Sequence, residues 1–185
     1  MTFPVFASGD VLNASDMNAV GLWKLSTTTF TTVSSVSVNN VFTANYANYR
    51  ILFRITAQTG TGDGTITMRL RASGTDSSAN YNTQRYGGAS ASVFAGADTS
   101  GTDDFFLGFA EVSATTYFVN AIDLFGPQLA APTIITLQEF ERSGGATAAQ
   151  TIAGRHTAST SYDGFTLFTS ATNMTGTVWV LGYRV

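Results

Sequence analysis

One histidine, twelve acidic residues and seven tyrosines bound the chemistry available to this chain of 185 residues. His156 sits in Gly154-Arg155-His156-Thr157. A single histidine excludes a multi-histidine metal site or a metalloprotease helix within one chain. A Ser-His-Asp relay stays open on inventory, because serines and aspartates are plentiful. The Gly-x-Ser-x-Gly elbow is lacking, however, and a lone histidine in a strand is more often a structural or exposed group.

Glu139 and Glu141 stand two apart in Leu137-Gln138-Glu139-Phe140-Glu141-Arg142, so on a strand they share a face, as a glycosidase pair would require. Such enzymes usually hold their carboxylates on separate elements and raise the acid's pKa by burial. The simpler expectation is a solvent-facing acid pair beside an arginine. Asp98, Asp103 and Asp104 lie in a Gly-Thr-Ser stretch. Oxygen ligands at such spacing can hold calcium, but the pattern is not the helix-flanked loop and aspartates are ordinary turn residues. Gly60-Thr61-Gly62-Asp63-Gly64 has no following Lys-Ser/Thr, so it is a turn and not a phosphate cradle. No metal and no cofactor is expected. Tyr46, Tyr81, Tyr86 and Tyr162 fall near loops, where an exposed ring serves equally for stacking on a sugar, for a protein interface or for the rim of a core.

The elements that position these residues are strands. Tyr49, Ile51, Phe53 and Ile55 alternate with Arg50 and Arg54, and Ile66, Met68 and Leu70 alternate with Thr67, Arg69 and Arg71. The glycines between the two runs supply positive-φ residues, so the pair is expected to form an antiparallel hairpin. Further strands are expected near residues 22–29, 33–38, 105–109, 117–125, 133–140, 151–156, 165–169 and 177–183. About ten short strands without helical periodicity predict an all-β fold, an antiparallel β-sandwich that is jelly-roll-like, with an immunoglobulin-like sandwich as the alternative. The stretch from Ala72 to Gly101 is long and rich in Gly, Ser and Asn. Such insertions are usually functional or mobile, which makes Tyr81, Tyr86 and Phe94 candidates for surface recognition; the alternative is an edge strand and loop.

Composition narrows the function classes. Hydrophobic residues make up 44% of the chain and charged ones only 11%, against about 25% charged in an average domain. The surface is therefore Ser, Thr, Asn and Gly, as suits either close packing against copies of itself or an ordinary Thr-rich β-protein. A net charge of −3 argues against a nucleic-acid partner, which needs clustered Lys and Arg. The chain has no cysteine, hence no disulfide framework and no thiolate metal site. Met1-Thr2-Phe3-Pro4 carries neither a basic nor an apolar leader region, and no later run approaches a membrane span. The expectation is a cytoplasmically made protein, neither exported by a signal peptide nor inserted in lipid.

Residues 9–20 hold the one helix expected. Asn13 caps it, Asp16 lies in its first turn, and Met17 and Val20 share a face with Ala14. A helix this short rests on its own body or on a partner. The length fits residues 1–22 as a docking segment and residues 23–185 as one sandwich domain.

The segment Phe3-Pro4-Val5-Phe6-Ala7-Ser8-Gly9-Asp10-Val11-Leu12-Asn13-Ala14-Ser15-Asp16-Met17-Asn18, followed by Gly21-Leu22-Trp23, resembles the N-terminal segment of small structural proteins of tailed bacteriophages. Four later stretches resemble the same group in order: Ala47-Asn48-Tyr49-Arg50-Ile51-Leu52, Thr67-Met68-Arg69-Leu70-Arg71-Ala72-Ser73-Gly74, Tyr162-Asp163-Gly164-Phe165 and Gly176-Thr177-Val178-Trp179-Val180-Leu181-Gly182-Tyr183-Arg184. Leu181 stands where the group often has tyrosine, and the region from Tyr81 to Gly101 matches least. The resemblance implies a virion protein of the minor tail, tail-fibre or head-associated kind, non-enzymatic and often trimeric. Phe3, Phe6, Val11, Leu12, Met17, Val20, Leu22 and Trp23 are then the residues for docking and self-assembly. The implied partners are copies of itself, other phage tail or capsid proteins, and a host-surface glycan as a candidate ligand. A capsid decoration or head-fibre protein is the alternative, and a glycan-degrading enzyme using Glu139 or Asp163 a further one.

Overall fold

The structure, a computed structural model, describes residues 9, 21–113, 118–143 and 146–184. Apart from Gly9, the expected helix over residues 9–20 lies outside the described residues, and so do Phe3, Phe6, Val11, Leu12, Met17 and Val20.

The described residues form an antiparallel β-sandwich. One sheet has eight strands in the order β1 (Gly21–Val33), β13 (Asn173–Arg184), β3 (Asn48–Thr59), β9 (Phe118–Phe125), β10 (Thr133–Ser143), β11 (Ala146–His156), β6 (Tyr81–Ala89) and β7 (Ser92–Thr102). The second runs β2 (Ser35–Val38), β12 (Gly164–Thr169), β4 (Gly64–Ala72) and β5 (Thr75–Asp76), with β8 (Phe105–Ala110) also paired to β4. A simple wiring underlies this. Strands β1, β2, β3, β4, β8, β9, β12 and β13 alternate between the sheets along the chain except at β4 and β8, which pair with each other, and they form two quartets, β1-β13-β3-β9 and β2-β12-β4-β8. The hairpins β6–β7 and β10–β11 are additions that prolong the first quartet beyond β9.

The core lies between the sheets and follows the period-two pattern. Tyr49, Ile51, Phe53 and Ile55 from β3 and Ile66, Met68 and Leu70 from β4 are all fully buried. Each such large side chain contributes about 2 kcal/mol of burial. Their strands do not form the expected hairpin. β3 pairs with β13 and β9, whereas β4 pairs with β12, β5 and β8, so the two face each other across the core in different sheets. Gly60 and Gly62 do take positive φ, 142° and 81°, but the turn carries the chain from one sheet to the other. An alternating pattern states which side of a strand is apolar; it is the same for strands that pair and for strands that stack.

The stretch from Ala72 to Gly101 is largely strand. Ser73 and Gly74, with φ of 50° and 79°, make the two-residue turn between Ala72 and Thr75, the geometry of a primed hairpin turn. β6 then crosses to the eight-stranded sheet, where it pairs with β11, and β7 forms the far edge. At the opposite edge β1 begins at Gly21, so Leu22 and Trp23 are sheet residues, paired with Tyr183 and Gly182.

Candidate functional site

The residues with the most reactive side chains are held inside the sandwich. His156 is fully buried at the end of β11, edge-on to Tyr81 and Tyr162 with ring centroids 4.4 and 5.2 Å away. Its Nε2 lies 3.0 Å from Ser77 Oγ. Burial holds the imidazole below its usual pKa, opposed by a hydrogen bond to the Ala79 backbone. With no exposed ring atom, this Ser–His pair ties the β5–β6 connection to β11 and offers no surface to a substrate.

Glu139 reverses the expectation of a solvent-facing acid pair. It is 3% exposed and points across the core, where Oε1 accepts the Phe109 N–H at 2.8 Å and Oε2 accepts from the Gln150 amide. The reason is a bulge in β8: Ile66 pairs with Gly108 but Thr67 with Phe106, which displaces a backbone donor from the ladder. Gly108, at φ +137°, leaves the space the carboxylate fills, and a Cβ there would collide with Oε1. The Glu141 side chain lies outside the description. Asp103 and Asp104 both face Arg69 Nη2, at 3.4 and 3.7 Å.

Among the tyrosines, Tyr81 is corrected from surface recognition to core. It is fully buried; its hydroxyl accepts the Leu70 N–H at 2.8 Å and donates to the Ser77 carbonyl at 3.1 Å, and burial raises its pKa. Tyr162 is also buried, and Tyr46 is half-buried against Gly182, where a Cβ would strike its ring. Phe94 is half-buried, with the Arg85 guanidinium over its ring at 5.9 Å. Tyr86 alone of these residues is widely exposed, at 63%.

Tyr86 stands on a groove across the outer face of the eight-stranded sheet, lined also by Gly88, Val93, Val119, Phe140 and Ala149. Cross-strand register explains it. Phe140 pairs with Ala149, Ala149 with Gly88 and Gly88 with Val93, giving a row whose middle lacks bulk. Tyr86 is in the next row, with Thr151 and Gln138. Phe140, Val93 and Val119 are 66%, 72% and 60% exposed, so the groove has apolar walls above a floor of Gly88 and Ala149. Gln138 and Thr151 continue it into a polar section lined by Arg50, Ala121, Asp123 and Thr136. There Asp123 Oδ1 accepts the Tyr183 hydroxyl at 2.6 Å and lies 3.8 Å from Arg50 Nη1. Burial and the Asp123 carboxylate hold the Tyr183 phenol above its usual range.

Sequence reasoning found Tyr86 but missed Phe140, Val93 and Val119. The available signal was apolar residues on both faces of 133–140, since Ile134 and Phe140 alternate with buried Ile135 and Leu137.

No family model matches the chain, and no curated protein matches it. Among solved structures, the CBM2 module of the evolved Dit of Lactobacillus casei BL23 phage J-1 aligns over 82% of this chain and 69% of that chain, at 13% identity and a TM-score of 0.27.

Proposed function

We propose that this chain is a structural protein of a tailed-phage virion, in the tail apparatus, attached through residues 1–22 and displaying its sandwich for contact with the host surface. It acts by binding and not by catalysis. The observation that carries the reading is the ordered series of phage-like stretches from Phe3 to Arg184. Three of them, distant in sequence, are neighbours in the sheet: Tyr183 pairs with both Leu22 and Asn48, and Gly182 with both Trp23 and Tyr49. They serve one structural unit, whose two four-stranded quartets we read as a jelly roll.

Attachment and display are well separated on this unit. Residues 1–20 lead into β1 at one edge of the large sheet, while β6 and β7 form the other, seven strand spacings or about 34 Å away. Leu22, 41% exposed on β1, suits burial between subunits, and a closed homotrimer is the assembly we favour. Cryo-electron microscopy of the intact particle tests the placement. A few copies at the tail would support it; many copies over the head would replace it with shell decoration; absence from the particle would refute both. Light scattering that gives a monomer would refute the trimer.

A further inference from the structure

We propose that the groove between Phe140 and Tyr86 binds a neutral oligosaccharide of more than one ring. This rests on reading the sandwich as a host-contact module. The walls and the polar section are complementary to such a ligand in different ways. A pyranose ring presents an apolar face of C–H bonds and a rim of hydroxyls that donate and accept hydrogen bonds. Tyr86 and Phe140 offer exposed rings for the first; Gln138, Thr136 and Thr151 offer amide and hydroxyl groups for the second.

Charge decides between classes of ligand. The ionised groups lining the polar section, Arg50 and Asp123, face each other at 3.8 Å, and the Asp123 carboxylate is also engaged by the Tyr183 hydroxyl. Their fields largely offset, and Glu139, which also borders the apolar section, is 3% exposed with both carboxylate oxygens engaged by Phe109 N–H and the Gln150 amide, so the described lining presents no unpaired charge to an anionic sugar or an ionic peptide.

Shape and spacing set the size of the ligand. Phe140 and Tyr86 stand two strands and one row apart, about 12 Å between backbones, which exceeds the reach of a single ring. The floor is open because Gly88 has no side chain and Ala149 only a methyl. A second copy of the chain fits less well: a two-fold contact would set a trough against the same trough and enclose a void, and in the closed trimer favoured above the contact residue, Leu22, lies on β1 at the opposite edge of the sheet from β6 and β7.

The test is a glycan array carrying neutral, amino and acidic oligosaccharides, probed with the full chain, followed by calorimetric titration of the best neutral binder. Tyr86→Ala and Phe140→Ala should each weaken that binding by about tenfold or more. Gly88→Leu fills the floor while keeping both rings, and a Cβ at Gly88 meets only Ser92 O at 3.6 Å, so the backbone accepts a side chain there; with an unchanged thermal melt, it should abolish binding. Binding confined to acidic glycans, no neutral glycan bound, or neutral binding untouched by Gly88→Leu would each overturn the proposal. So would a Tyr86→Ala protein whose only change is loss of self-association, which would make the groove a subunit contact. None of these outcomes alters where the protein sits on the particle, so the virion reading stands or falls separately.

Discussion

Replacing Tyr81 by phenylalanine removes one oxygen from the middle of the sandwich and leaves the ring, with its edge-on contacts to Phe105 at 4.8 Å and His156 at 4.4 Å. That oxygen stands in for a strand. β5 ends at Asp76, the Ser77 N–H still reaches the Leu70 carbonyl at 2.8 Å, and the Leu70 N–H then turns to the Tyr81 hydroxyl. Without it, a fully buried N–H has no acceptor, which costs about 1–3 kcal/mol. The Ser77 carbonyl belongs to a half-exposed residue and exchanges its phenol donor for water at little cost. The expected loss is therefore about 2 kcal/mol, a fall of roughly 4–8 °C in Tm for a domain of this size, and a lower urea midpoint with unchanged slope. Tyr86→Phe, on the exposed face, should stay within about 0.5 kcal/mol of wild type. Equal midpoints for Tyr81→Phe and wild type would refute the reasoning, since the hydroxyl would then satisfy nothing that water does not.

Gly108→Ala forces a side chain into φ +137° and against the Glu139 carboxylate; strain and the lost bond to Phe109 should together cost about 3–5 kcal/mol in urea unfolding. His156 makes stability depend on pH. Because burial holds its folded pKa below the ordinary 6.5, the unfolded chain takes up the proton first, so stability is full above pH 6.5 and falls as pH drops below it. The slope between about pH 6.5 and 5 should be at most about 1.4 kcal/mol per unit, and thermal melts of His156→Gln should lack it.

What could be read from the residues depended on periodicity. The strands over 49–55 and 66–71 were legible because apolar and polar residues alternate there, with Leu52 the one exception. β6 was not, because Asn82, Gln84, Arg85, Gly87 and Gly88 weaken its strand signal. Read as a strand, its parity would have put Tyr81 and Tyr86, five apart, on opposite faces. Glu139 shares parity with Ile135 and Leu137 and so was inward by pattern; its charge argued the other way. The groove was not legible, since it joins residues of β6, β7, β9, β10 and β11 through cross-strand register.

The sequence by itself determined an all-β body from residue 21 onward, low in charge, whose alternating residues mark core-facing sides, because strand periodicity is local and needs no partner. The tertiary structure decided that β3 and β4 stack instead of pairing, because alternation is blind to neighbours. It also decided that Glu139 turns inward, because Gly108 leaves room and the β8 bulge leaves a donor unsatisfied. It placed Tyr86 and Phe140 on one groove, because only pairing of distant strands brings their rows together.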